Sequence, residues 1–279
     1  MNNKNKYIRI KIALFYSAFL LTILFVINAC VTDPRQEVVT LSNLVLSEEF
    51  DIEGAPDAAV WDYDIGIGNA DTGPGWGNNE LQNYTDDPEN AFIENSNLVI
   101  RAKKDDGKYT SARLTTKDKK EFKFGRIDVR AKLPQGQGIW PAIWMLGENI
   151  DDVSWPACGE IDIMELVGHT PKTVHGTAHW GLRGEPSTYK TGSTSRENNF
   201  SESFHVFSIV WEFNEITWYL DETKFHSFSS DQTQGKPYPF NNEFFFIMNV
   251  AVGGNWPGNP DDTTVFPQEM IVDYIRVFQ

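Results

Sequence analysis

Between residues 41 and 279 the chain carries many short runs that alternate apolar and polar residues with period two, and no segment holds a 3.6-residue period. In residues 126–133, Ile127, Val129, Ala131 and Leu133 share one face, and Arg126, Asp128, Arg130 and Lys132 share the other. Residues 206–211, 216–221, 244–252 and 270–278 also read as strands, and clusters of Gly, Asn, Asp and Pro separate them. Strands that are apolar on one face must bury that face against another sheet. The expected class is therefore all-β, an antiparallel sandwich or barrel. No long linker, low-complexity block or internal repeat interrupts residues 41–279, so one domain is expected there.

The first 40 residues are of another kind. Lys4, Lys6, Arg9 and Lys11 precede an apolar run over residues 12–27, which ends at Asn28-Ala29-Cys30. This resembles a bacterial lipoprotein signal peptide over residues 1–29, with Cys30 as the lipidated residue and residues 30–40 as a tether. An uncleaved membrane-spanning anchor is the alternative. Either way the bulk of the protein is expected outside the cytoplasm, and the lipoprotein reading places it at the cell envelope, lipid-anchored at the outer membrane and facing the periplasm or the exterior. Four of the 24 Lys and Arg precede Cys30 and none of the 39 Asp and Glu do, so the chain from Cys30 onward stands near −19. That charge disfavours nucleic acid and suits a neutral polymer. Only Cys30 and Cys158 are present, and an acylated Cys30 leaves no intramolecular disulfide. The core must then supply stability, and a monomer is expected.

Chemistry concentrates in Gly159-Glu160-Ile161-Asp162-Ile163-Met164-Glu165. Strict alternation would turn Glu165 toward the apolar face, away from Glu160 and Asp162, where an unpaired carboxylate is very costly. One extra residue, a β-bulge near Met164, returns Glu165 to their face. Three neighbouring carboxyls disfavour full ionisation, so a protonated and an ionised carboxyl would coexist. Retaining glycosidases use such a pair, about 5–5.5 Å apart. A solvated acidic edge or a divalent-metal site also fits the spacing. Aromatic residues flank the segment: Trp140 and Trp144, four apart and so on one face, with Trp155 before the carboxylates and His179-Trp180 after them. Indole faces beside a few polar groups suit the flat C–H faces of sugars.

Gly138-Ile139-Trp140-Pro141-Ala142-Ile143-Trp144-Met145-Leu146, followed by the carboxylate segment, resembles the signature of laminarinases in glycoside hydrolase family 16. Asn79-Glu80-Leu81-Gln82-Asn83-Tyr84-Thr85, Tyr109-Thr110-Ser111, Phe204-His205-Val206-Phe207, residues 249–258 and residues 272–277 match in order and spacing, so the resemblance spans residues 44–279. It implies a β-jelly roll of two curved antiparallel sheets with a concave substrate cleft, and residues 41–279 as the catalytic domain. By position Glu160 matches the nucleophile, Glu165 the acid/base and Asp162 the residue that orients the nucleophile. Trp140, Trp144, His179, Asn79 and Trp256 match substrate-binding positions. The implied activity is retaining cleavage of internal β-1,3 bonds of laminarin-type glucans, with no cofactor needed for catalysis. The extra Met164 resembles the β-1,3-glucanase branch, since members acting on mixed-linkage glucan typically have a regular strand.

Some relatives hold a structural calcium, for which Glu49 and Asp273 are the matching ligands. Asp273 shares a strand face with Ile271, Ile275 and Val277 and is expected to be buried, by itself more simply as a hydrogen-bonded Asp. Ser96 stands where relatives often have Gly, which puts that ion in doubt. Cys158, with no His and Asn arranged around it, reads as a small buried hydrophobe. Three rival functions stay open: a non-catalytic β-glucan-binding lipoprotein, a same-fold enzyme acting on mixed-linkage glucan or a marine galactan, and a transglycosylase.

Overall fold

The computed structural model describes residues 41–279, so the expected signal peptide, Cys30 and the expected tether lie outside the described residues. Two sheets account for nearly all regular structure. One orders its strands Thr188–Ser195, Thr173–Trp180, Glu160–Glu165, Ile139–Gly147, Phe244–Val252, Arg113–Thr115 and Asp62–Tyr63, with Glu121–Phe122 also paired to Phe244–Val252. The other runs Thr223–Ser229, Glu215–Leu220, His205–Glu212, Gly125–Lys132, Gln268–Phe278, Asn97–Asp105, Lys108–Ser111 and Gln82–Tyr84. Leu44–Glu48 and Ala91–Glu94 pair onto this second sheet. Among the described strands, only Gln82–Tyr84 with Lys108–Ser111 is parallel. No helix among the described residues exceeds four residues, and none is long and apolar enough to cross a membrane. The expected all-β jelly roll is the fold observed.

Period-two burial explains which face each strand presents. Ile127, Val129 and Ala131 lie in the core, while Asp128, Arg130 and Lys132 are half-buried. Arg126 departs from the pattern: it is only 4% exposed, its guanidinium clasped by Asp128 at 2.8 Å and Glu222 at 2.6 Å. Phe244–Val252 is buried at every position, because it is central to its sheet and covered on both faces. Trp180, Trp211 and Trp218 are fully buried, and each indole N–H donates to a carbonyl, of Thr233, Phe240 and Asp162 respectively. At roughly 25 cal/mol per Å² over 150–250 Å², each such ring contributes about 4–6 kcal/mol of gross burial. Aromatic rings thus supply what disulfides would otherwise add.

Gln268–Phe278 corrects one expectation. Val272 pairs with Ala131 and Tyr274 with Arg130, so Asp273 is an extra residue in the ladder. The buried set is therefore Met270 and Val272, then Ile275 and Val277, with the phase reversed across the bulge. Asp273 does not share the face of Ile275 and Val277. It is part-exposed and ion-pairs with Arg130.

Candidate active site

The carboxylate segment forms strand Glu160–Glu165 and carries the expected bulge. On one side Trp144 pairs with Asp162 and Ile143 with Met164, so Ile163 is passed over. On the other, Asp162 pairs with Thr177 and Glu165 with His175, which leaves Ile163 and Met164 opposite the single Gly176. Ile161, Ile163 and Met164 enter the main core. Glu160, Asp162 and Glu165 share the opposite face, with His179 among them.

Each carboxylate has its own partners. Glu160 Oε2 accepts the Trp155 indole N–H at 2.7 Å, and Glu165 Oε1 accepts that of Trp140 at 3.1 Å. His179 Nε2 lies 3.3 Å from Asp162 Oδ2 and 3.8 Å from Glu160 Oε1, while its Nδ1 lies 3.3 Å from Ser187 Oγ. Burial, then the Asp162 charge, push the Glu160 carboxyl up to about 7, against the lowering effect of His179 and the Trp155 hydrogen bond. Burial and the charges of Asp162 and Glu160 push Glu165 well above the usual carboxylate range, against His179 and the Trp140 hydrogen bond. Burial by itself would lower His179, but Glu160, Asp162 and Glu165 together carry it to about 9. An imidazolium is thus the positive charge among the three carboxyls at neutral pH. Glu160, Asp162 and His179 also form the one group of potential metal ligands among the described residues.

Aromatic residues wall this face. Ile139 and Ile143 are buried in the core, and Trp140 and Trp144 project on the other side, as their spacing requires. The loop at 78–80 is zipped to the loop at 253–255, with Asn79 Nδ2 donating to Asn255 Oδ1 at 2.7 Å and Glu80 bridging Gly253. That juxtaposition brings Trp256 edge-on to Trp140 at 5.7 Å and to His175 at 5.0 Å. Trp144 donates to Asn249 Oδ1 at 2.8 Å, and Asn249 donates to the Tyr84 hydroxyl at 3.0 Å. Arg113, ion-paired with Asp64, lies between the rings of Trp76 and Trp144. At the other end Trp155 is 45% exposed and Tyr189 63%, both near His179. Of the five positions expected to bind substrate, Trp140, Trp144, His179 and Trp256 lie on this face, and Asn79 braces the loop that carries Trp256.

Sequence reasoning missed Trp155 as the donor to Glu160, and His175 and Arg113 as wall residues. Trp155 was visible as a neighbouring aromatic, but its loop geometry was not. Arg113 and His175 carry no local signal. Glu49 and Asp273, the residues expected to match calcium ligands, each pair with an arginine. Arg276 holds Glu49 through two bonds of 2.8 Å, which lowers the Glu49 carboxyl below its usual range, and Arg130 holds Asp273. Cys158 is free and buried, its thiol pushed up to about 12 mainly by that burial, as a small buried hydrophobe would be.

Comparison with known proteins covers the same residues. The profile of the glycosyl hydrolases family 16 matches residues 78–276. A β-glucanase of Rhodothermus marinus is 40% identical over 275 residues, 94% of each chain. The laminarinase catalytic domain of Thermotoga maritima superposes with a TM-score of 0.78 at 52% identity, covering 85% of this chain and 98% of that one. The catalytic domain of an endo-1,3-β-glucanase (laminarinase) from Thermotoga petrophila gives 0.79 at 50% identity, with 87% and 99% covered. Because the matched span runs through both sheets and encloses the bulged carboxylate strand, the chain belongs to glycosyl hydrolase family 16.

Proposed function

We propose that the chain is an endo-β-1,3-glucanase that hydrolyses laminarin-type glucans with retention of configuration. The bulge that brings two buried glutamates to one cleft face, each with its own indole donor, carries this reading. Glu160, with a carboxyl at about 7, the Trp155 indole N–H donated to it and the His179 ring 3.8 Å away, supplies an ionised nucleophile near neutral pH. Glu165, whose carboxyl burial and the neighbouring carboxylates raise well above the usual carboxylate range, is suited to carry the proton that the leaving oxygen needs. Attack by Glu160 on the anomeric carbon, with that proton transfer, gives a glycosyl-enzyme. Glu165, now ionised, takes a proton from water as the water displaces Glu160. Asp162 and His179 position and tune the pair, and the tryptophan walls hold the sugar rings. A purely binding protein would gain nothing from two poorly solvated carboxyls in its cleft. Purified protein is expected to convert laminarin to a ladder of oligosaccharides from the earliest times and to leave agarose intact. Release of glucose alone would exclude the endo mode, and products from agarose without products from laminarin would overturn the substrate class.

We infer further that Cys30 is acylated and tethers the domain to the cell envelope. The basic residues, the apolar run and Ala29-Cys30 support this. Wild type is expected in the detergent phase after phase separation, and Cys30→Ser in the aqueous phase. If both partition into water, the lipid anchor is wrong.

A further inference from the structure

The bulge on strand Glu160–Glu165 is packed from below by a residue of the opposite sheet. Trp218 is wholly buried in strand Glu215–Leu220, and its Nε1–H donates to the Asp162 carbonyl at 2.8 Å. A bulge disrupts the ladder where two residues face one, so this bond meets the strand where the ladder is disrupted. The residue opposite that bulge is Gly176. A Cβ there would lie 2.4 Å from Trp218 Cδ1 and 2.8 Å from Nε1, so the indole occupies the space a side chain would need. The arrangement is repeated next door. Gly192 pairs with Gly176, His226 pairs with Trp218, and a Cβ on Gly192 would lie 2.4 Å from the His226 ring. Two adjacent rings on one sheet thus seat in two adjacent notches on the other, 4.8 Å apart. Of the two rings, Trp218 is the one bonded to the carboxylate strand.

We propose that Trp218, seated in the notch of Gly176, is a positioning residue that holds the bulge in register and so sets the aim of Asp162 and Glu165. It touches no substrate. Its action runs through the Asp162 backbone, two residues from Glu160 and three from Glu165. The inference rests on the hydrolytic reading of this site.

Two variants separate the hydrogen bond from mere filling of space. Trp218→Phe removes the N–H and part of the ring, whereas 3-benzothienylalanine at position 218 keeps the ring shape and removes only the N–H. Both are expected to lower kcat on laminarin between about 10- and 100-fold, the scale of a small misplacement of catalytic groups, with KM within about twofold. Their pH–rate profiles should move to lower pH, because carboxyls released from a fixed, dry arrangement return toward ordinary values. Amide hydrogen exchange at residues 163–165 should accelerate. Wild-type kcat and profile in the benzothienyl variant would reduce Trp218 to a core filler and overturn the clamp. So would unchanged exchange at residues 163–165, or a loss that only follows the folded fraction. If Trp218→Phe fails to fold, the benzothienyl variant decides alone. Exchange is read without substrate, so an inactive wild type would count against the reaction assignment and not against the clamp.

Discussion

With an aryl β-glucoside of a laminari-oligosaccharide as substrate and azide in the buffer, Glu165→Ala is expected to release a β-glycosyl azide. Glu160→Ala is expected to release an α-azide or nothing. The difference follows from what each carboxyl contributes. Natural glucan has an alkoxide-like leaving group that needs the Glu165 proton, so Glu165→Ala should lose about 10²–10⁴-fold in kcat on laminarin. An activated aryl group leaves unaided, and Glu160 still forms the glycosyl-enzyme. Azide is small and needs no general base, so it displaces Glu160 from the face opposite to that bond, and two inversions give the β-product. Without Glu160 no covalent intermediate exists, and a single displacement by azide inverts. Proton NMR of the azide product reads the anomeric configuration directly. An α-azide from Glu165→Ala together with a β-azide from Glu160→Ala would exchange the two roles. Release of the α-anomer as first product of wild-type hydrolysis would remove the retaining mechanism altogether.

The roles are legible in sequence only as far as parity and chemistry reach. Glu165 falls on the wrong face of a regular strand. The cost of burying it demands an odd number of extra residues between Asp162 and Glu165, and the structure supplies one. Another bulge, at Asp273, escapes the same reasoning. Ile271, Ile275 and Val277 offer a plausible apolar face of their own, so nothing in the alternation looks violated. The ladder with Gly125–Lys132 nevertheless shifts, and Arg130 takes the carboxylate outside the core. Trp140 and Trp144 were readable because their spacing is local to one strand. Trp155, His175 and Trp218 were not, because each meets the site through a loop or a sheet contact that periodicity does not encode. Gly176 has no turn to explain it, and only the ring from the other sheet shows why a side chain is excluded.

Asp162→Asn is expected to move the whole pH–rate profile of the enzyme to lower pH and to cut kcat/KM at pH 7 by about 10–100-fold, at or below the low end of what a general acid contributes, because the acid is misset and not removed. The sign follows from the charges facing the pair. In wild type the acid limb reports Glu160 taking a proton, and the alkaline limb reports Glu165 losing one, as macroscopic values of a coupled set. After burial, the Asp162 charge is the largest influence raising both groups. The isosteric amide removes that charge, so both groups fall. His179 opposes the change only if it loses its proton. It keeps Glu160, the largest single cause that raises it, and keeps Glu165 as well, so part of what raises it remains. Glu160 then gains slightly in ionised fraction at pH 7, while Glu165 loses the protonated form that the leaving group requires. The second effect governs the rate on laminarin. On an aryl glycoside, whose departure needs no proton, the loss at pH 7 should be smaller than on laminarin. The measurement is kcat/KM against pH on both substrates, with circular dichroism to show that the fold is kept. Limbs that stay in place, or move to higher pH, would mean that Asp162 does not set the protonation of the two glutamates.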